Sequence, residues 1–192
     1  MLDKDTRNRI IRLIHKEVVP AIGCTEPMAV ALCTAKAAET LGRTPETINV
    51  LLSANILKNA MGVGIPGTGM IGLPIAIALG ALIGKSDYKL EVLKDLTPEA
   101  LEAGKQYIAG KHIDIKLKEG ITEKLYIEVC CKAAGSESTA IIAGGHTSFV
   151  YLGKDGEALL DNRTDTTAGE EEEDIRLNMR LVYDFATTAP VE

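Results

Sequence analysis

Gly23-Cys24-Thr25-Glu26-Pro27 sets a thiol just ahead of a proline that opens an alanine-rich helical run from Met28 to Thr40. Proline is tolerated in a first helical turn, where its missing N–H would have no partner anyway, so Cys24 falls at the electropositive end of that helix. A thiolate is favoured in such a setting, as a nucleophile or as a soft ligand for iron or zinc. The same spacing also suits a cysteine that packs as a small hydrophobe, and both readings stay open.

A second stretch, Gly62-Val63-Gly64-Ile65-Pro66-Gly67-Thr68-Gly69, is neither a dinucleotide fingerprint nor a phosphate-binding P-loop. Ile65-Pro66 falls where the first needs a free turn, and no Gly-Lys-Ser/Thr follows for the second. Its small residues let backbone N–H groups approach a carboxylate or phosphate, Thr68 adds a hydroxyl, and the helix that follows favours an anion through its dipole. The alternative is a tight loop that serves only close helix packing. Asn55, Lys58 and Asn59 stand immediately before it. In a helix, Asn55 and Asn59 share a face at i and i+4 with Lys58 beside them. His146, in Gly144-Gly145-His146-Thr147, has flanking glycines that let a ligand come close, and it can act as acid, base or hydrogen-bond donor near neutral pH. His15 and His112 lack such a setting.

Helices and strands must position these groups. Ile10, Ile11, Ile14 and Val18 follow helical spacing behind Asp3 or Asp5 as a cap and end before Pro20. Thr47 to Ala54 has the β-branched content of a strand. The apolar run to Ile83 reads as a buried helix beginning near Ile71, and Thr97-Pro98-Glu99 caps another helix that reaches about Ala109. From Ile113 the period becomes two: Ile113, Ile115 and Leu117 alternate with charged residues, and strands follow over Lys124 to Cys131, Ser138 to Ala143 and Thr147 to Leu152. Short links imply antiparallel neighbours. A final helix is expected from Asp174 to about Ala186. The expected fold is α+β, helices packed on an antiparallel sheet of about four to five strands, in a single domain over 1–192 with a polar linker at 161–173.

The 192 residues, 46% of them hydrophobic and 25% charged, suffice for a well-buried core. With 27 Asp and Glu against 21 Lys and Arg, the net charge of −6 argues against a nucleic-acid surface or an anionic membrane. The charged first residues are unlike a signal peptide, and the longest apolar stretch is too short for a span, so a cytoplasmic protein is expected. Cys24, Cys33, Cys130 and Cys131 should then be free or metal-bound. Cys130 and Cys131 point to opposite faces of a strand and cannot chelate one ion together, and Cys33 lies roughly 13 Å along the helix from Cys24.

Taken together, Gly23 to Pro27, Asn55 to Gly69 and Gly144 to Thr147, in this order, resemble the iron-sulfur L-cysteine desulfidase family, itself related to the alpha chain of bacterial iron-sulfur L-serine dehydratase. The resemblance runs from about His15 to Leu160. It implies a lyase of amino-acid catabolism that releases hydrogen sulfide from L-cysteine, or water from L-serine, to give pyruvate and ammonia without pyridoxal phosphate. It also implies a four-iron four-sulfur cluster held by three cysteines, one of them Cys24. His146 and Lys58 are then the catalytic candidates, with Glu26, Asn55, Asn59, Gly67, Thr68 and Gly69 around the substrate. Members of that family are considerably longer, so the remaining cluster cysteines are expected from a C-terminal half or a second subunit; a homo-oligomer is a further expectation. The alternative is an amino-acid-binding or interaction module that keeps the fold without the chemistry.

Overall fold

The computed structural model describes residues 2–163 and 175–189. They fall in two compact units, Met1–Val19 with Asp165–Glu192, and Pro20–Thr164.

The smaller unit carries α1 (Lys4–Glu17) and α6 (Met179–Thr188). Asp3 caps α1 by accepting from the Thr6 amide at 2.8 Å, and the Asn178 side chain caps α6 by accepting from the Leu181 amide at 2.9 Å. Arg7 Nη2 donates to the Thr188 carbonyl at 3.0 Å. The linker expected over 161–173 lies outside the described residues beyond position 163, as does the start expected for the last helix at Asp174.

The larger unit is the α+β body. Its strands are β1 (Thr47–Leu52), the short pair β2 (Gly64–Ile65) and β3 (Met70–Ile71), then β4 (Ile113–Leu117), β5 (Tyr126–Ala133), β6 (Ser136–Ala143), β7 (Phe149–Lys154) and β8 (Glu157–Asp161). Its helices are α2 (Thr25–Leu41), α3 (Ala54–Ala60), α4 (Leu73–Ile83) and α5 (Pro98–Ala109), with a 3-10 helix at Ser86–Glu91. Six strands form one sheet in the order β4-β1-β5-β6-β7-β8, not the four to five expected. All neighbours are antiparallel except β1 and β4, which pair in parallel from Ile48 with Ile113 to Leu52 with Leu117. A parallel pair needs a long crossover, and α3, the β2–β3 hairpin, α4 and α5 together supply it.

Alternation in the strands decides which face is dry. Ile48, Val50 and Leu52 on β1, Ile127, Val129 and Cys131 on β5, and Ala140 and Ile142 on β6 are buried on one face. Across the ladders they stand opposite one another, Val50 with Val129 and Ile127 with Ile142. The helix α2 covers this face, with Cys33 Sγ donating to the Ala140 carbonyl at 3.3 Å and Ser138 Oγ donating to the Ala37 carbonyl at 2.7 Å. Cys33 is therefore core, as its place in the helical run implied.

A second layer joins α4 to α2. A Cβ at Gly80 would lie 2.6 Å from the Ala31 carbonyl oxygen, and one at Gly84 would lie 2.7 Å from Ala35 Cβ. The two helices thus meet backbone to backbone, which the alanine-rich sequence of one and the glycines of the other allow. No helix among the described residues is long and apolar enough to cross a membrane.

Candidate functional site

Cys24 is the N-cap of α2, with extended backbone and no side-chain bond of its own to the helix amides. Its Sγ donates instead to Glu26 Oε2 at 2.9 Å, and Thr25 Oγ1 donates to the same oxygen at 3.2 Å. The other carboxylate oxygen, Glu26 Oε1, accepts from Asn59 Nδ2 at 3.4 Å. One carboxylate in the first turn of α2 thereby connects the thiol to α3.

The thiol's titration runs opposite to the sequence expectation. Burial, reinforced by the hydrogen bond to Glu26, pushes the Cys24 thiol up from its ordinary value, while that same bond holds the Glu26 carboxyl below its own. The helix dipole does not set the sign here, because a partly desolvated anion beside a carboxylate is the costlier state. Glu26→Gln removes the neighbouring charge while keeping an acceptor. We expect it to lower the thiol's titration and speed alkylation of Cys24 by iodoacetamide at neutral pH. A slower or unchanged rate would show that Glu26 does not oppose the thiolate.

The glycine-rich segment comes to Cys24 through a close contact. Gly23 has φ +83°, and a Cβ on it would lie 2.6 Å from Pro66 Cγ, so Gly23 lets the β2–β3 hairpin sit directly against the Cys24 turn. The hairpin uses Thr68 for itself. Its side chain, 7% exposed, donates to the Ile65 carbonyl at 2.7 Å and accepts from the Met70 amide at 2.9 Å. The hydroxyl expected to meet a substrate carboxylate thus closes the turn that Gly67 and Gly69 make possible with φ +75° and +64°. Thr68→Val leaves the Met70 amide without that acceptor, and we expect it to destabilise the fold by about 1–3 kcal/mol. An unchanged denaturation midpoint would contradict this.

Gly67 also lines a groove of about 370 Å³ with Ile22, Pro66, Leu93, Leu96 and Leu101, and Gly67 is the one candidate substrate-binding or catalytic residue from the sequence among its lining. Nor is the segment the start of a helix: β3 intervenes, and α4 begins only after Gly72, whose amide donates to the Val63 carbonyl at 2.8 Å.

Asn55, Lys58 and Asn59 lie on α3, and all three are exposed. Lys58, a catalytic candidate on the sequence, is turned outward because Ile56, two positions before it, points into the core. His146 is half-buried in the loop between β6 and β7. That loop lies at the sheet end from which α3 departs. Gly144 donates to the Leu125 carbonyl at 3.1 Å, and Ser53, the N-cap of α3, donates through its amide to Tyr126 and through its hydroxyl to Lys124 at 3.0 and 2.8 Å.

The N-terminus of α2 points to the same end. Ala37 sits over Ser138 and Cys33 over Ala140, so α2 runs antiparallel to β6. Nine helical residues carry Cys24 about 13 Å past Cys33, and three strand residues carry Ala143 about 10 Å past Ala140. Cys24, Glu26, Asn55, Asn59 and His146 thus come from α2, α3 and the β6–β7 loop at one end of the sheet. The Glu26–Asn59 bond is the feature that sequence reasoning missed. Its partners stand 33 positions apart, and only their separate motifs hinted at it.

The donor set at Cys24 is one thiol, one carboxylate and one amide. Cys33 and Cys131 are buried in the core, and Cys130 lies on the opposite face of its strand from Cys131. Among the described residues no three His, Cys, Asp or Glu side chains stand together so as to hold a metal ion. This set does not by itself fit a four-iron cluster, which needs more thiolates than one.

The chain is similar to proteins of Bacteroides that carry the name UPF0597 protein, which states no activity. One from Bacteroides fragilis is 67% identical over 191 residues, covering 100% of this chain and 45% of its own length. One from Bacteroides thetaiotaomicron is 69% identical over 188 residues, covering 97% of this chain and 43% of its own. A more distant one, from Oleidesulfovibrio alaskensis, is 47% identical over 186 residues, again 43% of the relative. The chain thus spans less than half the length of these curated relatives. No protein-family model matches it, and no solved structure does.

Proposed function

We propose that this chain is one part of an iron-sulfur-dependent lyase that converts L-cysteine, or L-serine, to pyruvate and ammonia with release of hydrogen sulfide or water. The observation that carries the reading is the Cys24–Glu26–Asn59 chain, which ties a thiol, a carboxylate and a second helix at the sheet end that also bears His146. The cluster is not held by this chain's described residues alone. Cys24 is the one thiol at that place suited to contribute a soft ligand, and the rest belong to further polypeptide.

The chemistry assigned here is an elimination. A base takes the α-proton, the electron pair of that bond forms the new double bond, and hydrosulfide leaves with the pair of the carbon–sulfur bond. The aminoacrylate tautomerises to an imine, and water displaces ammonia to give pyruvate. A neutral imidazole nitrogen can accept such a proton, and His146 stands in the β6–β7 loop at the sheet end that bears Cys24, so we assign it as the base. Lys58 is an exposed ammonium suited to the substrate carboxylate, and Asn55 orients the remaining polar atoms. Gly67, Gly69 and Thr68 shape the hairpin that supports this end rather than holding the carboxylate.

The test is anaerobic assay of the chain with iron and sulfide, alone and together with the unmatched portion of the Bacteroides fragilis relative. Equal amounts of pyruvate and sulfide from L-cysteine, formed only by the pair, support the reading. Turnover by the chain alone overturns the divided site. No pyruvate from the pair with either L-cysteine or L-serine, one of them still bound, favours the amino-acid-binding module instead.

A further inference from the structure

Beside Cys24 and Asn59 the structure presents a small apolar face that the described residues leave exposed. Met61, one residue past α3, is 49% exposed, and Ile71 in β3 is 67% exposed. The two are neighbours, because a Cβ at Gly72 would come 2.7 Å from the Met61 carbonyl oxygen. In the β2–β3 hairpin, Ile65 and Met70 point inward, while Ile71 stands opposite Gly64, whose missing side chain leaves it bare.

The glycines around them carry the argument further. Gly62 and Gly64 have no positive φ, and a Cβ on either would meet nothing within 4 Å. Nothing within the described chain requires a glycine at these positions. A glycine without a conformational or packing role marks a place where another backbone or a ligand approaches closely. Exposed Met and Ile on a flat glycine surface fit a polypeptide, since large apolar side chains anchor protein interfaces.

We propose that Met61, Ile71 and the bare backbone of Gly62 and Gly64 form the docking face for the polypeptide corresponding to the part of the relatives that this chain does not match. The occupant follows from length: the chain is matched from 96 to 100% in the relatives above, yet accounts for only 43 to 45% of theirs. More than half of each relative must pack against something. A face contiguous with Asn59 and Glu26 puts that portion at the thiol. Only the further expectation, that the docked portion brings thiolates to Cys24, rests on the lyase reading.

The test co-expresses the chain with the affinity-tagged unmatched portion of the Bacteroides fragilis relative and reads the dissociation constant of the purified pair. We expect a 1:1 complex that Met61→Asp or Ile71→Asp each weakens at least about tenfold. Gly62→Val should do the same, while Leu159→Asp on β8 leaves affinity unchanged. Thermal melting of each variant checks that the fold persists, as it should for exposed positions. No complex, a complex indifferent to Met61, Ile71 and Gly62, or self-association of the chain through this face would each overturn the proposal. A complex that responds to these variants without forming pyruvate from either L-cysteine or L-serine sustains the docking face and sinks the lyase reading. Turnover by a complex that ignores them does the reverse.

Discussion

Cys24→Ser is expected to separate stability from activity. Cys24 caps α2 without a side-chain bond to the helix, whereas serine is among the preferred N-cap residues, so the variant should fold at least as stably as the parent, by up to about 1 kcal/mol. Sulfide release by the chain paired with the unmatched portion of its relative should fall more steeply than the roughly 10–100-fold that losing a mere supporting partner of a metal ligand costs. A hydroxyl is a harder, weaker ligand for iron than a thiolate. Chemical denaturation and a sulfide assay on the same preparation read the two effects. Lost activity together with lost stability would instead mark Cys24 as a packing residue.

Gly80→Val should be the most damaging single substitution in the helical layer. Even the first carbon of the new side chain would stand 2.6 Å from the Ala31 carbonyl oxygen, which is backbone and cannot swing aside. The helices α2 and α4 would have to part, and β-branching adds strain within the helix. We expect a loss of about 3 kcal/mol or more, seen as a fall of roughly 10 °C in Tm for a chain of this size. Gly62→Ala is the control. With open space around it and no positive φ, it should leave Tm unchanged or slightly raised, because alanine restricts the unfolded chain. Equal losses for the two would contradict the close packing of α2 on α4.

Much of this architecture is legible in the residues. The Thr97-Pro98-Glu99 cap becomes α5 with Thr97 Oγ1 accepting from the Ala100 amide at 3.2 Å, and the alternation after Ile113 becomes β4. Asn55 and Asn59 do share a helix. The sheet's sixth strand was hidden because Glu157–Asp161 is an edge with one half-buried residue, Leu160, and polar sequence after it. The parallel pairing of β4 with β1 was hidden for another reason: link lengths speak for sequential neighbours, and β4 is joined to β1 across six intervening elements.

The site was legible in its members and not in their bonds. Helix position alone made Cys24 a favoured thiolate. The sign turns on burial of the thiol, reinforced by a Glu26 side chain that folds back toward it, and spacing reveals neither. Thr68 carries a hydroxyl in a glycine loop, which reads as a ligand donor, but β2 and β3 are two residues each and need that hydroxyl to close. Lys58 follows two apolar residues, yet only Ile56 of those is fully buried.

The most direct measurement of the central claim is the Mössbauer spectrum of iron-labelled paired polypeptides, recorded for the parent and for Cys24→Ser. If Cys24 is a ligand, the parent shows a four-iron cluster and the variant shows one iron altered toward oxygen ligation, or the cluster lost. Identical spectra from the two would contradict the placement of Cys24 at the metal.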